Sequence, residues 1–326
     1  MQPVADSSNP NSSVVAFLFP GQGSQTVGMG RELHHNFAAA RAVFQEAEAA
    51  LGFDLTALIF NGPEETLRLT EHTQPAILTV SVAAQRVLAE HGVTPAFAAG
   101  HSLGEYSAHV AAGTLTFADA VRTVRNRGRY MQQAVPAGVG AMAAVLGLPA
   151  SKVDAACVMA AEELGEVVSA ANLNSPEQIV ISGTVAAVER ACALAKDAGA
   201  KRTVNLPVSA PFHCALMQPA QDRLENDLAQ LQFRAPQIPV ICNVDARAVT
   251  TGNDARDALV RQVTGAVRWV GCVQRLRDAG VTHYVEVGPG RVLTGLQKGI
   301  DRALLAQTVN VEDAPSLEKT LAALAT

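Results

Sequence analysis

No block of lysine or arginine occurs in this chain of 326 residues, and its net charge is −5. Nucleic acid is thereby disfavoured as the main partner, because phosphate binding rests on concentrated positive charge. The chain also lacks a C-x-x-C pair: Cys157, Cys192, Cys214, Cys242 and Cys272 are odd in number and scattered. Neither a disulfide framework nor a zinc site is suggested, no metal is expected, and a reducing cytoplasm is the expected location. Long apolar runs are absent as well, since VVAFLF is too short for a signal-peptide core or a membrane span. The polar, proline-broken start, residues 1–13, reads as a disordered tail. Neither an internal repeat nor a low-complexity segment is found. What remains is 48% hydrophobic and 17% charged, enough for one large domain and a smaller one.

Along the chain, apolar runs alternate with amphipathic stretches in an α/β pattern. VVAFLF is followed by a helix near residues 30–50, the stretch PAILTVSVAAQRVLAEHG, and a short strand in TPAFAA. From Ala141 to Val208 the order becomes β-α-β-β-α-β, a ferredoxin-like unit. Breakers flank it, Pro136-Ala137-Gly138-Val139-Gly140 before and Pro207 with Pro211 after, as expected where a chain crosses between domains. The reading is therefore a large domain made of residues 14–137 and 209–326, with residues 138–208 inserted into it. A helix near 215–231, a strand in IPVICNV, a helix near 254–279, the strand HYVEVG and a last strand and helix complete the large domain.

Gly100-His101-Ser102-Leu103-Gly104 matches the nucleophile-elbow pattern G-x-S-x-G, between TPAFAA and a helix in EYSAHVAA that Gly113 stops. On such a turn the serine hydroxyl projects from the sheet edge. The Leu103 amide opens the helix without an intrahelical partner, which is half an oxyanion hole. Pro20-Gly21-Gln22-Gly23-Ser24-Gln25 follows the first strand and could supply the second amide. It is no dinucleotide loop, because Thr26 stands where G-x-G-x-x-G needs glycine. A serine needs a base, and of eight histidines two stand out. His101 adjoins the serine and is read as propping the turn; His213, in the rigid segment PVSAPFHC, is read as the base, and Cys214 beside it as packing. Helical periodicity sets Arg127 on the face of Ala120, Thr123, Val124, Tyr130 and Met131, with Arg122, Arg125 and Arg129 on the solvated side. A buried guanidinium requires an anion, either a buried Asp or Glu or an acidic substrate. Thr116 and Asp119 mark the start of that helix as a capping box.

FPGQGSQ, GHSLGEYSAHVAAG, RNRGRYMQ, GAMAAVLG, ANLNSPEQIVISG, PVSAPFHCALM and VEVGPGRVLTGL, in this order, resemble the malonyl-CoA:acyl-carrier-protein transacylases of fatty acid synthesis. The resemblance runs from about Phe17 to the C-terminus. It implies an α/β-hydrolase-like domain carrying a ferredoxin-like subdomain. It also implies that Ser102 is the acylated nucleophile and His213 its base, with the Gln22 and Leu103 amides on the oxyanion and Arg127 on the malonyl carboxylate. The backbone carbonyl of Gln262 would orient the histidine, while Asn172, Phe212 and His101 would line the substrate site. The implied reaction is ping-pong, from malonyl-CoA to the phosphopantetheine thiol of holo acyl carrier protein. No bound cofactor is implied, and a monomer is the expected state. Leu103 and Phe212 resemble malonyl-type pockets, although the Ala-Pro-Phe-His spelling departs from the polyketide form. The competing readings are a trans-acting polyketide acyltransferase, a serine hydrolase, which usually shows an acidic third member not evident here, and an inactivated scaffold that binds carrier protein. Lys196, Lys201 and Arg202 could meet an acidic carrier.

Overall fold

The computed structural model describes residues 13–208 and 210–325, so all of the expected tail except Ser13 lies outside the described residues. The strands among them are β1 (Val15–Phe19), β2 (Phe97–Gly100), β3 (Gly140–Leu146), β4 (Val168–Ser175), β5 (Gln178–Thr184), β6 (Arg202–Asn205), β7 (Val240–Ile241), β8 (Ala248–Val249), β9 (His283–Val287) and β10 (Thr308–Val311). They form two sheets, and the protein is a mixed α/β structure. The larger sheet has the order β10-β9-β1-β2-β7-β8, parallel except for the last pair. Its central strand β1 is buried along its whole length, as a parallel strand covered on both faces must be. The stretch PAILTVSVAAQRVLAEHG lies in the helix Thr70–Glu90, apolar nearly all round because it runs through the core.

The smaller sheet has the order β4-β5-β3-β6, antiparallel throughout. Successive side chains of a strand point to opposite faces, and in β3 each face serves a different core. Ala143 and Val145 pack with Val153, Ala160, Val188 and Ala191 of the two helices Ala150–Leu164 and Val185–Asp197. Met142 and Ala144 join the main core instead. Strand β4 is also tied to the segment ahead of the helix Trp269–Asp278 by a parallel bridge of Asn172 with Val267, in which Leu173 N–H donates to Val267 O at 2.9 Å and Val267 N–H to Ala171 O at 2.8 Å.

Several expected elements are interrupted. The helix near 30–50 is two, Arg31–Asn36 and Ala38–Leu51, broken at extended Phe37. The helix near 215–231 begins as the 3-10 turn Ala215–Met217 and continues as Gln218–Ala229. IPVICNV contributes only two residues to a strand before the chain turns back into β8. The helix near 254–279 is also two, Gly252–Arg261 and Trp269–Asp278. At Thr116 the N-cap forms, its oxygen accepting from Asp119 N–H at 3.1 Å, while the return contact runs from the Thr116 hydroxyl to the Asp119 carboxylate at 2.7 Å. Among the described residues no helix is long and apolar enough to cross a membrane, and no His/Cys/Asp/Glu group could hold a metal ion.

Candidate active site

The elbow glycines are required by space. A Cβ on Gly100 would lie 1.9 Å from the Gly104 carbonyl, and one on Gly104 would lie 2.1 Å from Phe19 O. Strand β2 thus turns into the helix Gly104–Ala111 with its backbone pressed against β1. Ser102 takes φ 51°, a left-handed conformation that costs a residue with a side chain roughly 1–2 kcal/mol. The turn at residues 20–25 abuts the elbow, since a Cβ on Gly21 would meet His101 O at 2.4 Å. Among the described residues neither the Leu103 nor the Gln22 amide donates to a protein acceptor.

His213 also has a positive φ, 60°. Its Nε2 lies 2.7 Å from Ser102 Oγ, while Nδ1 faces two carbonyls, Gln262 O at 2.9 Å and Gly265 O at 3.1 Å. Since carbonyls only accept, the proton sits on Nδ1 and leaves Nε2 to accept from the serine. The break between the helices Gly252–Arg261 and Trp269–Asp278 lets these two carbonyls face the ring. Burial, then the nearby Arg127 charge, push the His213 pKa down to about 3, so the imidazole is neutral at physiological pH. Cys214 is buried, its thiol on Pro211 O.

Arg127 is 2% exposed, facing inward as its helical position predicts. Its Nη1 donates to Gln74 Oε1 at 2.8 Å, and its Nη2 to Gln262 Oε1 at 2.9 Å and to Ser102 Oγ at 3.1 Å. Its Nε has no partner among the described residues. Arg122 and Arg129 are exposed as expected, but Arg125 is half-buried, lying 4.6 Å over the Phe53 ring and donating to Leu51 O. Glu105, fully buried, is the nearby acid: its Oε2 accepts from Gln262 Nε2 at 2.7 Å and from Asn243 N–H at 2.9 Å. Burial raises its pKa to about 7. It bonds Gln262 instead of Arg127, so the guanidinium is held by amides.

A cleft of ≈ 120 Å³ opens over Ser102 and His213, lined by Gln22, His101, Asn172 and Phe212 together with Met142 and Leu206. His101 Nε2 bonds Asn174 Oδ1 at 2.8 Å, and burial lowers its pKa. A β-bulge between Ala170 and Asn172 re-aims the latter. The structure thus brings together Ser102, His213, Arg127, Gln22, Leu103 and Gln262, with His101, Asn172 and Phe212 on the wall. Sequence reasoning missed Gln74, Glu105 and Asn243. Glu105 had a weak signal, the one acid of a short helix whose other residues are, apart from Tyr106 and His109, small or apolar; the other two had none.

The chain belongs to the acyl transferase domain family, whose sequence model matches residues 16–321. Relatives within that family include malonyl CoA-acyl carrier protein transacylases. The Escherichia coli K12 protein of that name is 54% identical over 296 residues, 90% of this chain and 95% of the relative. The Bacillus subtilis one is 48% identical over 312 residues, 96% of this chain and 98% of the relative. Among solved structures, the acyl carrier protein S-malonyltransferase of Vibrio cholerae superposes with TM-score 0.92 at 52% identity, covering 94% of this chain and all of that one (100%). A malonyl-transacylase in complex with its type II PKS acyl-carrier protein superposes with TM-score 0.92 at 48% identity, covering 95% and 99%.

Proposed function

We propose that this protein is an acyl-carrier-protein S-malonyltransferase, which moves malonyl from coenzyme A to the phosphopantetheine thiol of holo acyl carrier protein through a malonyl ester on Ser102. The observation that carries the reading is the buried Arg127 guanidinium 3.1 Å from a serine hydroxyl that a neutral histidine contacts at 2.7 Å. A planar cation beside a nucleophile suits an acyl group ending in a carboxylate, which a guanidinium grips bidentately.

Ser102 Oγ attacks the thioester carbonyl and its proton passes to His213 Nε2. The Leu103 and Gln22 amides receive the tetrahedral oxyanion. The intermediate collapses as His213 returns the proton to the departing thiolate, releasing coenzyme A. In the second half the carrier thiol gives its proton to His213 and attacks the malonyl ester, and Ser102 leaves with that proton. The Gln262 and Gly265 carbonyls stabilise the imidazolium formed in each half. A bound malonyl carboxylate offsets the Arg127 charge that lowers the histidine's basicity, so the acid-bearing substrate strengthens its own base.

The reading calls for no bound cofactor: coenzyme A enters with the substrate, and the phosphopantetheine belongs to the carrier protein. It takes residues 14–137 and 209–326 as an α/β-hydrolase-like domain, residues 138–208 as a ferredoxin-like subdomain, and the protein as a cytoplasmic monomer. The order of the smaller sheet supports the subdomain assignment.

The test is intact mass after mixing with malonyl-CoA alone. One malonyl group on the protein, none on Ser102→Ala, and discharge on adding holo-carrier protein are expected; free malonate released without an acceptor would make the protein a hydrolase. The likeness to a transacylase solved with a type II PKS carrier favours a second reading, the same chemistry on a polyketide carrier. Discharge rates with a fatty-acid and a polyketide carrier side by side separate the two.

A further inference from the structure

Glu105 and Asn243 take no part in the reaction drawn above, yet both are fully buried and bonded to the group that does. Asn243 Oδ1 accepts from Ser102 N–H at 2.7 Å, and its Nδ2 donates to Gly100 O at 2.7 Å. One carboxamide therefore spans the elbow from the residue before His101 to the residue after it. The Ser102 carbonyl is held from the other side by Gln262 Nε2 at 3.0 Å. Glu105 Oε2 bonds both holders, the Asn243 backbone amide and the Gln262 carboxamide.

A second observation points to the same residue. Non-glycine residues with positive φ are three among the described residues: Ser102, His213 and Ala246 at 52°. The first two are the reacting pair. Ala246 lies in the turn that presents Asn243, closed by Ala246 N–H on Cys242 O and Cys242 N–H on Arg247 O, both at 3.0 Å. Arg261 grips this turn through Asp245, with Nη1 at 2.9 Å and Nη2 at 2.7 Å from the carboxylate. Strained backbone persists only where its surroundings over-determine it, and it gathers at functional sites. With its own N–H bonded to Asn243, Ser102 leaves Leu103 as the elbow's free donor toward an oxyanion.

We propose that Asn243, braced by Glu105, is a positioning residue: it holds Ser102 in its left-handed conformation, with the hydroxyl set between His213 and Arg127. The inference rests on Ser102 being the nucleophile. It is tested by rapid-quench loading from malonyl-CoA, read by intact mass and normalised to folded protein, with melting temperatures measured in parallel. Asn243→Ala is expected to slow loading about 10- to 100-fold, the scale of a misplaced reacting group, while half-saturation by malonyl-CoA shifts by less than about threefold. Discharge to carrier protein slows alike, because both halves pass through the same oxygen. Glu105→Ala follows Asn243→Ala, whereas Glu105→Gln, which keeps a carbonyl acceptor for both holders, recovers most of the loss. Loading of folded Asn243→Ala at the wild-type rate, whatever its melting temperature, overturns the proposal. If that variant does not fold, the Glu105 pair decides, and equal loading by Glu105→Ala and the wild type overturns it. A malonyl group on Ser102→Ala is a separate failure, that of the nucleophile assignment.

Discussion

Gln262 touches three residues of the candidate site at once: its carbonyl faces His213, its side-chain oxygen Arg127 and its side-chain nitrogen the Ser102 carbonyl. Arg127 is thus held by neutral amides that can yield to a carboxylate. Arg127→Ala is expected to lower malonyl transfer about 100-fold or more, since two charged hydrogen bonds are lost, and acetyl transfer far less. Parallel assays with malonyl-CoA and acetyl-CoA check this, and equal losses would contradict it. Gln22→Ala keeps its backbone donor and should cost far less than Ser102→Ala in the same loading assay. Glu105 carries a pH prediction. Its folded pKa, about 7, lies above the ordinary 4.5, so the folded state holds an extra proton between those values, and this contribution to stability is full below pH 4.5, falls as the pH rises to 7 and is gone above it. Glu105→Gln should therefore melt higher than wild type at pH 8, and the gap should close by pH 5. Ser102, His213 and Arg127 were legible because motif, breaker chemistry and helical periodicity each mark one of them. Asn243 was not, because its partners, Ser102 and Glu105, lie over a hundred residues away.

The elements that matter most are those that stop. A helix running unbroken from Gly252 to Asp278 would bond the Gln262 carbonyl to its own next turn; the break aims it, with that of Gly265, at the histidine. The sequence carried a weak signal in Val263-Thr264-Gly265, outweighed by amphipathic patterning on both sides. The elbow was legible as a motif, but its reason was not, because the pattern does not say that both glycines face backbone. Gly100→Ala and Gly104→Ala meet backbone at 1.9 and 2.1 Å, so neither is expected to give a folded elbow. Gly138→Ala, with φ 83° and open space around it, should cost only about 1 kcal/mol. Urea unfolding of the three variants makes the comparison.

Across the whole molecule, the alternation of strands and helices was readable from periodicity, but how the smaller sheet joins its surroundings was not. That depends on β3 serving two cores and on the bridge of Asn172 to Val267. The protein also buries His109 and His213, each pushed down to about 3, chiefly by burial. Between that value and 6.5 the unfolded chain binds more protons, so this stability is fully present above pH 6.5 and is lost as the pH falls. His109→Leu removes one such group, and its melting temperature is expected to fall less steeply than wild type from pH 7 to pH 5. The shared strand has a further consequence. Met142 lines the cleft on the same face of β3 that joins the main core, so moving that wall outward would bare apolar surface at about 25 cal/mol for every Å². Widening the opening over Ser102 by displacing this wall is thus resisted by the core itself. A larger acyl group is therefore expected to be admitted by making Met142 or Phe212 smaller, which leaves the core contacts of β3 in place.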